Sequence, residues 1–457
     1  MSNQFRKLSR RTVIKGGMSG LLAAPFVSPS ALAQNMTFSP SERITIGCLG
    51  VGQMGRGHLN RLLRNPEVQV VAISDVDQWR LNDAKEQTES AYAANTKTGT
   101  YKGCAAYPDF RNMLERPDID AIMVASQDFW HPLHTIMAAR AGKDVYVEKA
   151  ISVTLHEARA MVDAVRRYGR VCQGGFQQRS TREFRLAVQL AHMGALGRVN
   201  VIYCNGIGVS QHVNLAAEPV PPTLNWDMWL GPAPYQPFNN RYHHLGKPRV
   251  VVPWLGNRDF GIGTMSSTAS HNLDIAQWAL GMDESGPVEI IPQLAAHTGR
   301  ETLTYKYANG AMVKSFKSTL DPKEDLIPEG WDPKKAVETF SVLIVGERGW
   351  VYAARQGVID AYPKDLLALV DAQPVPAPIQ GSMPNTHHQN WIESIRTRQR
   401  PVTDIETAAR STSVAILGAM ALWTNRTLKW DPVKEAFIGD EEANRMRRRP
   451  LREPWVL

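Results

Sequence analysis

Residues 43–57 read RITIGCLGVGQMGRG, and the reading of this stretch decides the fold. Ile44, Ile46, Cys48 and Leu49 make a short apolar run, which predicts a buried parallel strand. Gly50-Val51-Gly52-Gln53-Met54-Gly55 follows at once, and Arg56 leads into a helical pattern. Strand, tight turn and helix N-terminus in that order form a seat for a dinucleotide pyrophosphate. Gly50 permits the turn, Gly52 lets the backbone approach the phosphates, and Gly55 lets helix and strand pack closely. Gln53 and Met54 of the same turn join the expected cofactor contacts. A GxGxxG alone is weak, but here a second apolar run, 68–74, ends in Asp75. That is the usual span to a carboxylate that binds an adenosine ribose and prefers NAD to a 2′-phosphorylated nucleotide. Arg80 nearby softens that preference.

Working outward, strands and helices alternate from 43 to 176. Apolar runs at 121–125, 144–148 and 171–175 are separated by helical patterns at 133–141 and 155–168. The prediction is an α/β fold: a Rossmann-type, doubly wound parallel sheet with helices on both faces. Beyond 177 the texture changes. Helices are expected over 183–193, 266–280, 386–398 and 403–423, and a long loop rich in Pro, Trp and His over 214–254. Asn309-Gly310 joins two strands as a tight hairpin, and residues 347–349 join another pair. This second, C-terminal part, 177–457, reads as an α+β domain for substrate binding and oligomerisation. Its sheet is large, open and mostly antiparallel, with helices on one side. The other face needs a cover, so a homodimer or homotetramer is expected, with apolar strands such as 342–345 buried between copies.

The chain has 457 residues, 43% of them hydrophobic and 21% charged, as in an ordinary globular enzyme. The net charge of +8 misleads. Arg6, Lys7, Arg10, Arg11 and Lys15 fall within 1–33, where there is no acid, so the rest of the chain shows no bias toward nucleic acid or membrane. Residues 1–33 themselves read as a twin-arginine signal peptide. Arg10-Arg11 precedes an apolar stretch too short to span a bilayer, and Ala31-Leu32-Ala33 offers a cleavage site. Residues 34–42 then form a linker, and the mature protein is expected in the periplasm or secreted, with no membrane anchor. Cys48, Cys104, Cys172 and Cys204 have no metal or redox spacing and read as buried free thiols.

In open parallel sheets a ligand lies outside the carboxyl ends of the strands. Residues 126–131, Ser-Gln-Asp-Phe-Trp-His, follow one strand, and Glu148-Lys149-Ala150 follows the next. Ser126, Trp130, His131, Glu148, Lys149 and Gln177 are therefore expected at the cofactor. Lys149 is also a proton-transfer group for a substrate hydroxyl; the bland alternative is a structural lysine. His271 and Asp274, three apart, share a helix face and suggest a histidine oriented by a carboxylate. Arg179, which reads equally well as a structural ion pair, and Tyr242, His243 and His244 are candidate substrate contacts. No metal is expected, since these histidines lack a carboxylate at ligand spacing.

Together, GxGxxG with Asp75, Trp130-His131, Ala141-Gly142-Lys143, Glu148-Lys149 and His271-x-x-Asp274 resemble the Gfo/Idh/MocA oxidoreductases over nearly everything after Ser41. Residues 226–234 and 428–432 look like the exported subgroup. The resemblance implies nicotinamide-dependent oxidation or reduction of a sugar, cyclitol or related polyol, with Lys149 and His271 flanking the reacting carbon. Three positions depart from the family pattern. Ala150 replaces the proline of Glu-Lys-Pro, Ser267 stands where a carboxylate usually precedes the histidine by four, and Phe129 replaces a histidine common in the subgroup. Two other functions fit the same residues: redox-neutral glycoside cleavage through transient oxidation, and non-catalytic sugar sensing by a protein that keeps its nucleotide.

Overall fold

The computed structural model describes residues 40–243, 253–371 and 386–457. The expected signal segment and His244 lie outside the described residues. Six strands form the first sheet: β1 (Ile44–Leu49), β2 (Val68–Ser74), β3 (Ala105–Tyr107), β4 (Ala121–Val124), β5 (Asp144–Val147) and β6 (Cys172–Gly174). Their order is β3-β2-β1-β4-β5-β6, and every neighbouring pair is parallel. The order reverses between β1 and β4, so a crevice opens there at the carboxyl ends of the strands. β2 and β4 are buried at every residue, as strands covered on both faces must be.

The longer connecting helices are α1 (Gln53–Leu63), α2 (Gln78–Ala91), α3 (His131–Arg140) and α4 (Leu155–Arg167). Local sequence explains α4 well. Thr154 and Glu157 make a reciprocal capping box, and Leu155, Ala158, Met161, Val162 and Val165 form the buried stripe.

The second sheet holds β7 (Val199–Asn205), β8 (Glu289–Leu294), β9 (Glu301–Lys306), β10 (Met312–Phe316), β11 (Ser341–Gly346), β12 (Gly349–Ala354), β13 (Val358–Tyr362), β14 (Leu428–Asp431) and β15 (Ala436–Phe437). They lie in the order β13-β12-β11-β7-β10-β9-β8-β14-β15. β7 and β10 run parallel, and the other neighbours are antiparallel. A parallel Rossmann-type sheet followed by a mostly antiparallel one is the architecture expected from the sequence. The longer helices of this half are α5 (Arg182–His192), α6 (Ser270–Ala279), α7 (Thr386–Thr397) and α8 (Ile405–Thr424). Every residue of α6 is buried, because it packs between the second sheet, α5 and α8.

Two features differ from the sequence reading. The chain after α7 returns to the first sheet: Gly174 N donates to the Thr403 carbonyl at 2.8 Å, and Arg159 pairs with Glu406 at 2.7 Å. A boundary at 176/177 therefore marks a change of sheet, with later segments packed back across it. The far face of the second sheet is also covered, in part, by the chain itself. Leu320, Trp331 and Val337 pack onto Val201, Tyr203, Leu343, Val345 and Trp350. The segment between β10 and β11 that supplies them has no helix or strand, yet its apolar side chains reach this face. All four cysteines are buried and free.

Candidate active site

Two neighbouring regions make up the site. The first is a cleft of about 520 Å³ at the carboxyl ends of β1, β2 and β4. Gly50 turns the chain at φ +80°, and a Cβ there would fall 2.8 Å from the Ala125 carbonyl and Ser126 nitrogen. A Cβ on Gly55 would fall 2.0 Å from the Gly50 carbonyl oxygen, so α1 rests directly on the turn. α1 starts after Gly52 with no side-chain cap, which leaves its first-turn N–H groups for an anion. Asp75 closes the turn from β2: its Oδ2 accepts from Val51 N at 2.8 Å and its Oδ1 from Asp77 N at 3.0 Å. Carboxylate lone pairs remain at the cleft wall for two hydroxyls. A glycine cradle, an uncapped helix start and a carboxylate at the end of β2 fit a dinucleotide. Bound there, NAD would rest its phosphates on Gly50–Gly55 and a ribose on Asp75, and it supplies hydride transfer.

Gln53, Met54, Ser126 and Trp130, expected at the cofactor, line this cleft. Ser126 Oγ is 2.9 Å from His134 Nδ1, and the His134 ring stacks on Trp130 at 4.4 Å. Trp79, Arg80, Trp229 and Trp254 also line the cleft. Arg80 is the residue expected beside the ribose; single tryptophans carry no spacing signal, so the sequence reading did not place Trp79, Trp229 and Trp254 here.

The second region lies where β5 ends. Glu148 is fully enclosed: His58 Nε2 donates to its Oε1 at 2.8 Å, Gln177 Nε2 donates to the same oxygen at 3.1 Å, and Lys149 N donates to Oε2 at 3.1 Å. Burial raises the Glu148 carboxyl, but the His58 hydrogen bond and the nearby positive charges outweigh it and bring the group down to about 2. His58 Nδ1 in turn meets His388 Nε2 at 2.8 Å. His58 and His388 belong to helices more than three hundred residues apart, which no local pattern reveals.

Lys149 Nζ reaches across to the second half of the chain and donates to the Ser267 carbonyl at 3.1 Å and the Ser266 carbonyl at 3.3 Å. These carbonyls belong to a π-helical turn, Met265–Ala269, that runs into α6; such turns widen the helix and turn carbonyls outward. The Lys149–Ala150 peptide is cis although the family's proline is absent. His271, the second residue of α6, is 7% exposed with its Nδ1 unpaired among the described residues. Burial, and after it the charges of Lys149 and Arg355, hold this imidazole well below its ordinary value, so it is neutral.

Several expected residues stand elsewhere. Asp274 does not orient His271: its carboxylate accepts from Arg179 Nε and Nη2 at 2.8–3.0 Å and from Ser411 Oγ at 2.6 Å. Arg179 also pairs with Asp283 at 2.7 Å, and both members of the Arg179–Asp274 pair are fully buried. The arrangement is a structural ion pair, because a carboxylate on a wholly buried helix takes the nearest cation. Neither Asp274 as a catalytic group nor Arg179 as a substrate contact fits this packing. His131 is likewise enclosed, its Nδ1 2.8 Å from the Ala150 carbonyl and its Nε2 3.0 Å from the Ser126 carbonyl. It pins the loop after β4 to the Lys149–Ala150 turn and presents no free edge to a cofactor. Glu148 and Gln177 are engaged with each other behind Lys149, not on the cleft wall. Tyr242 and His243 line the nucleotide cleft, whose walls do not include Lys149 or His271. His243 Nε2 lies 3.0 Å from Asp77 Oδ2, and Tyr242 Oη donates to the Val213 carbonyl at 3.1 Å. Among the described residues no group of three His, Cys, Asp or Glu is placed to hold a metal.

Comparison with known proteins adds a second line. Residues 44–176 match a family described as an oxidoreductase family with NAD-binding Rossmann fold, and 203–457 match its C-terminal alpha/beta domain. Myo-inositol 2-dehydrogenase of Thermotoga maritima is 28% identical over 181 residues, 40% of this chain and 47% of that protein. A glycosyl hydrolase family 109 protein of Shewanella pealeana is 25% identical over 207 residues, 42% of this chain and 44% of that protein. The chain thus spans about half the length of these curated relatives. The WlbA dehydrogenase of Bordetella pertussis, solved with NADH and UDP-GlcNAcA, shares the fold at a TM-score of 0.56 and 18% identity. That alignment covers 85% of this chain and 99% of the other.

Proposed function

The chain belongs to the Gfo/Idh/MocA family of NAD-binding oxidoreductases, and from that premise we propose that it moves a hydride between NAD and a secondary alcohol of a cyclitol, sugar or related polyol. The observation that carries this reading is the meeting of Lys149 with the Ser266–Ser267 turn beside a neutral His271, next to the nucleotide cleft. A primary amine and a neutral imidazole suit a hydroxyl that loses its proton as the carbon becomes a carbonyl. Lys149 takes or returns that proton, and His271 hydrogen-bonds the same oxygen. The inositol dehydrogenase relative supports a polyol as substrate class. Asp75 supports NAD over NADP, because its carboxylate repels a 2′-phosphate.

The export reading belongs to the same proposal: Arg10-Arg11 and Ala31-Leu32-Ala33 support passage of a folded, nucleotide-loaded enzyme out of the cytoplasm. Self-assembly through the second sheet, as a homodimer or homotetramer, is part of it too. A second reading, cleavage of a glycoside through transient oxidation, is favoured by the glycosyl hydrolase relative.

The test begins with the purified mature protein. Bound nucleotide is extracted and identified, and cyclitols, sugars and glycosides are screened for change in nicotinamide absorbance and for released sugar. NADH formation from a polyol supports the first reading; sugar release without net NADH selects the second. Tighter NADP than NAD binding overturns the cofactor preference, and no turnover of any of these compounds overturns the substrate class.

A further inference from the structure

Lys149 has no carboxylate within ion-pair distance among the described residues; its ammonium donates to two backbone carbonyls. Two carboxylates act on it by charge alone, Glu148 and Asp128. Glu148 is fully engaged by His58, Gln177 and the Lys149 amide. Asp128 is different. It sits in the loop after β4, 5% exposed, and its Oδ2 has no hydrogen-bond partner among the described residues. The loop is held against the Lys149–Ala150 turn by His131, and Asp128 is followed by Phe129, whose ring packs on Phe260 at 5.3 Å. A buried acid with an open lone pair and no ion pair costs stability, and a fold retains one where its proton is used.

We infer that Asp128 is the proton reservoir for Lys149, a positioning residue that acts through the amine and does not touch substrate. It serves in place of the carboxylate that the family carries at position 267 of this chain. In the oxidation direction the Lys149 ammonium passes one proton to Asp128 Oδ2 through a bridging water, since the two groups stand beyond ion-pair distance, and the substrate O–H bond breaks as its proton forms the replacing N–H bond on Lys149. The carbon loses its hydride, two electrons and a proton, to the NAD of the proposed reaction. The carbonyl product, NADH and a protonated Asp128 account for every atom and charge. The charged groups that act on Asp128 are Lys149 and Glu148 at the end of β5; His131 lies three residues on in its own loop, and Arg449 donates to the neighbouring Phe129 carbonyl at 3.4 Å. Burial pushes the Asp128 carboxyl up, Lys149 and the Ser266 hydroxyl pull it back, and Glu148 adds to the rise, leaving it at about 7.

The inference rests on the dehydrogenase reading, but its first two measurements need neither substrate nor NAD. Infrared titration of the nucleotide-free protein is expected to show a protonated carboxyl band that disappears near neutral pH and is missing in Asp128→Asn. Thermal unfolding gives the second measurement. A carboxyl whose folded value lies above its unfolded one stabilises at low pH, and that stability is lost as pH rises through about 7. Asp128→Asn should therefore melt above the wild type at about pH 8, with the gap narrowing as pH falls and closing only near about pH 4, where the unfolded aspartate is itself protonated. On whichever substrate the screen yields, kcat should fall at least about tenfold with NADH affinity unchanged, and the limb of the pH profile near neutrality should vanish. Ser267→Asp added to Asp128→Asn should restore part of kcat. If Asp128→Asn does not fold, the infrared titration of the wild type with labelled aspartate decides. An Asp128 that stays ionised down to about pH 5, or an Asp128→Asn enzyme with the wild-type pH profile, overturns the inference. Failure of the substrate screen alone leaves the infrared result standing and counts against the dehydrogenase reading instead.

Discussion

At the scale of single residues, Lys149 and the Arg179–Asp274 pair separate chemistry from structure. Lys149→Met keeps the length of the stem and removes the group that moves a proton. The expected loss in kcat is about 100- to 10,000-fold. NADH affinity, read from quenching of intrinsic fluorescence, should hardly change, because the glycine turn and Asp75 stand apart from the amine. Wild-type turnover by that variant would reduce Lys149 to a brace for the Ser266–Ser267 turn. Asp274→Asn should behave in the opposite way. It breaks a fully buried pair and leaves Arg179 partly uncompensated, at a cost of roughly 3–5 kcal/mol in unfolding free energy. Denaturant unfolding measures that cost. A variant of undiminished stability and reduced kcat would return Asp274 to the catalytic group.

At the scale of elements, the contact between α1 and the turn before it governs nucleotide binding. A methyl group at Gly55 would sit 2.0 Å from the Gly50 carbonyl oxygen, and backbone on both sides cannot give way as a side chain would. Gly55→Ala therefore has to lift α1 from β1. We expect a loss of roughly 1–3 kcal/mol in stability and of at least about tenfold in NADH affinity, measured by thermal unfolding and calorimetric titration. Normal NADH binding by Gly55→Ala would mean that the nucleotide does not rest on this turn. The π-helical turn before α6 is the matching device on the other half of the chain. It turns two carbonyls toward Lys149 from a helix that is otherwise wholly enclosed.

At the scale of the whole molecule, buried histidines set the acid limit of stability. Burial holds His134, His271 and His388 well below their ordinary value and His131 below it, and brings His387 to about 4. Below about pH 6.5 the unfolded chain takes up protons that the folded chain refuses, so stability falls as pH falls. His387 alone contributes on the order of 3 kcal/mol to that loss by about pH 4. Glu148, held at about 2, adds to it once the pH drops below about 4. Melting temperature across this range is the measurement, and an unfolding midpoint that is flat from about pH 7 to pH 4 would contradict it. The proposed export is tested at the same scale. Replacing Arg10 and Arg11 with lysine should leave a folded, nucleotide-loaded precursor in the cytoplasm; undiminished periplasmic yield would remove the twin-arginine reading.

The sequence by itself determined what short-range rules control. Ile44 to Gly55 specify strand, turn and helix start through burial and the conformational freedom of glycine. The capping box at Thr154 and the Asn309-Gly310 hairpin specify their elements in the same way. Asp75 was legible because its distance from the turn is set by one βαβ unit. What only the tertiary structure decided is which side chains meet across long separations. Asp274 follows His271 by three residues, and helical spacing alone pairs them, yet Arg179 lies closer to the carboxylate once α6 is enclosed on all sides. The segment between β10 and β11 carries no periodic signal and still covers part of the second sheet, because Leu320 and Trp331 are apolar and within reach. Asp128 carries no periodic signal at all. The role proposed for it rests on an unshared lone pair in a buried position, and burial of that kind is a property of the assembled fold, not of any stretch of chain.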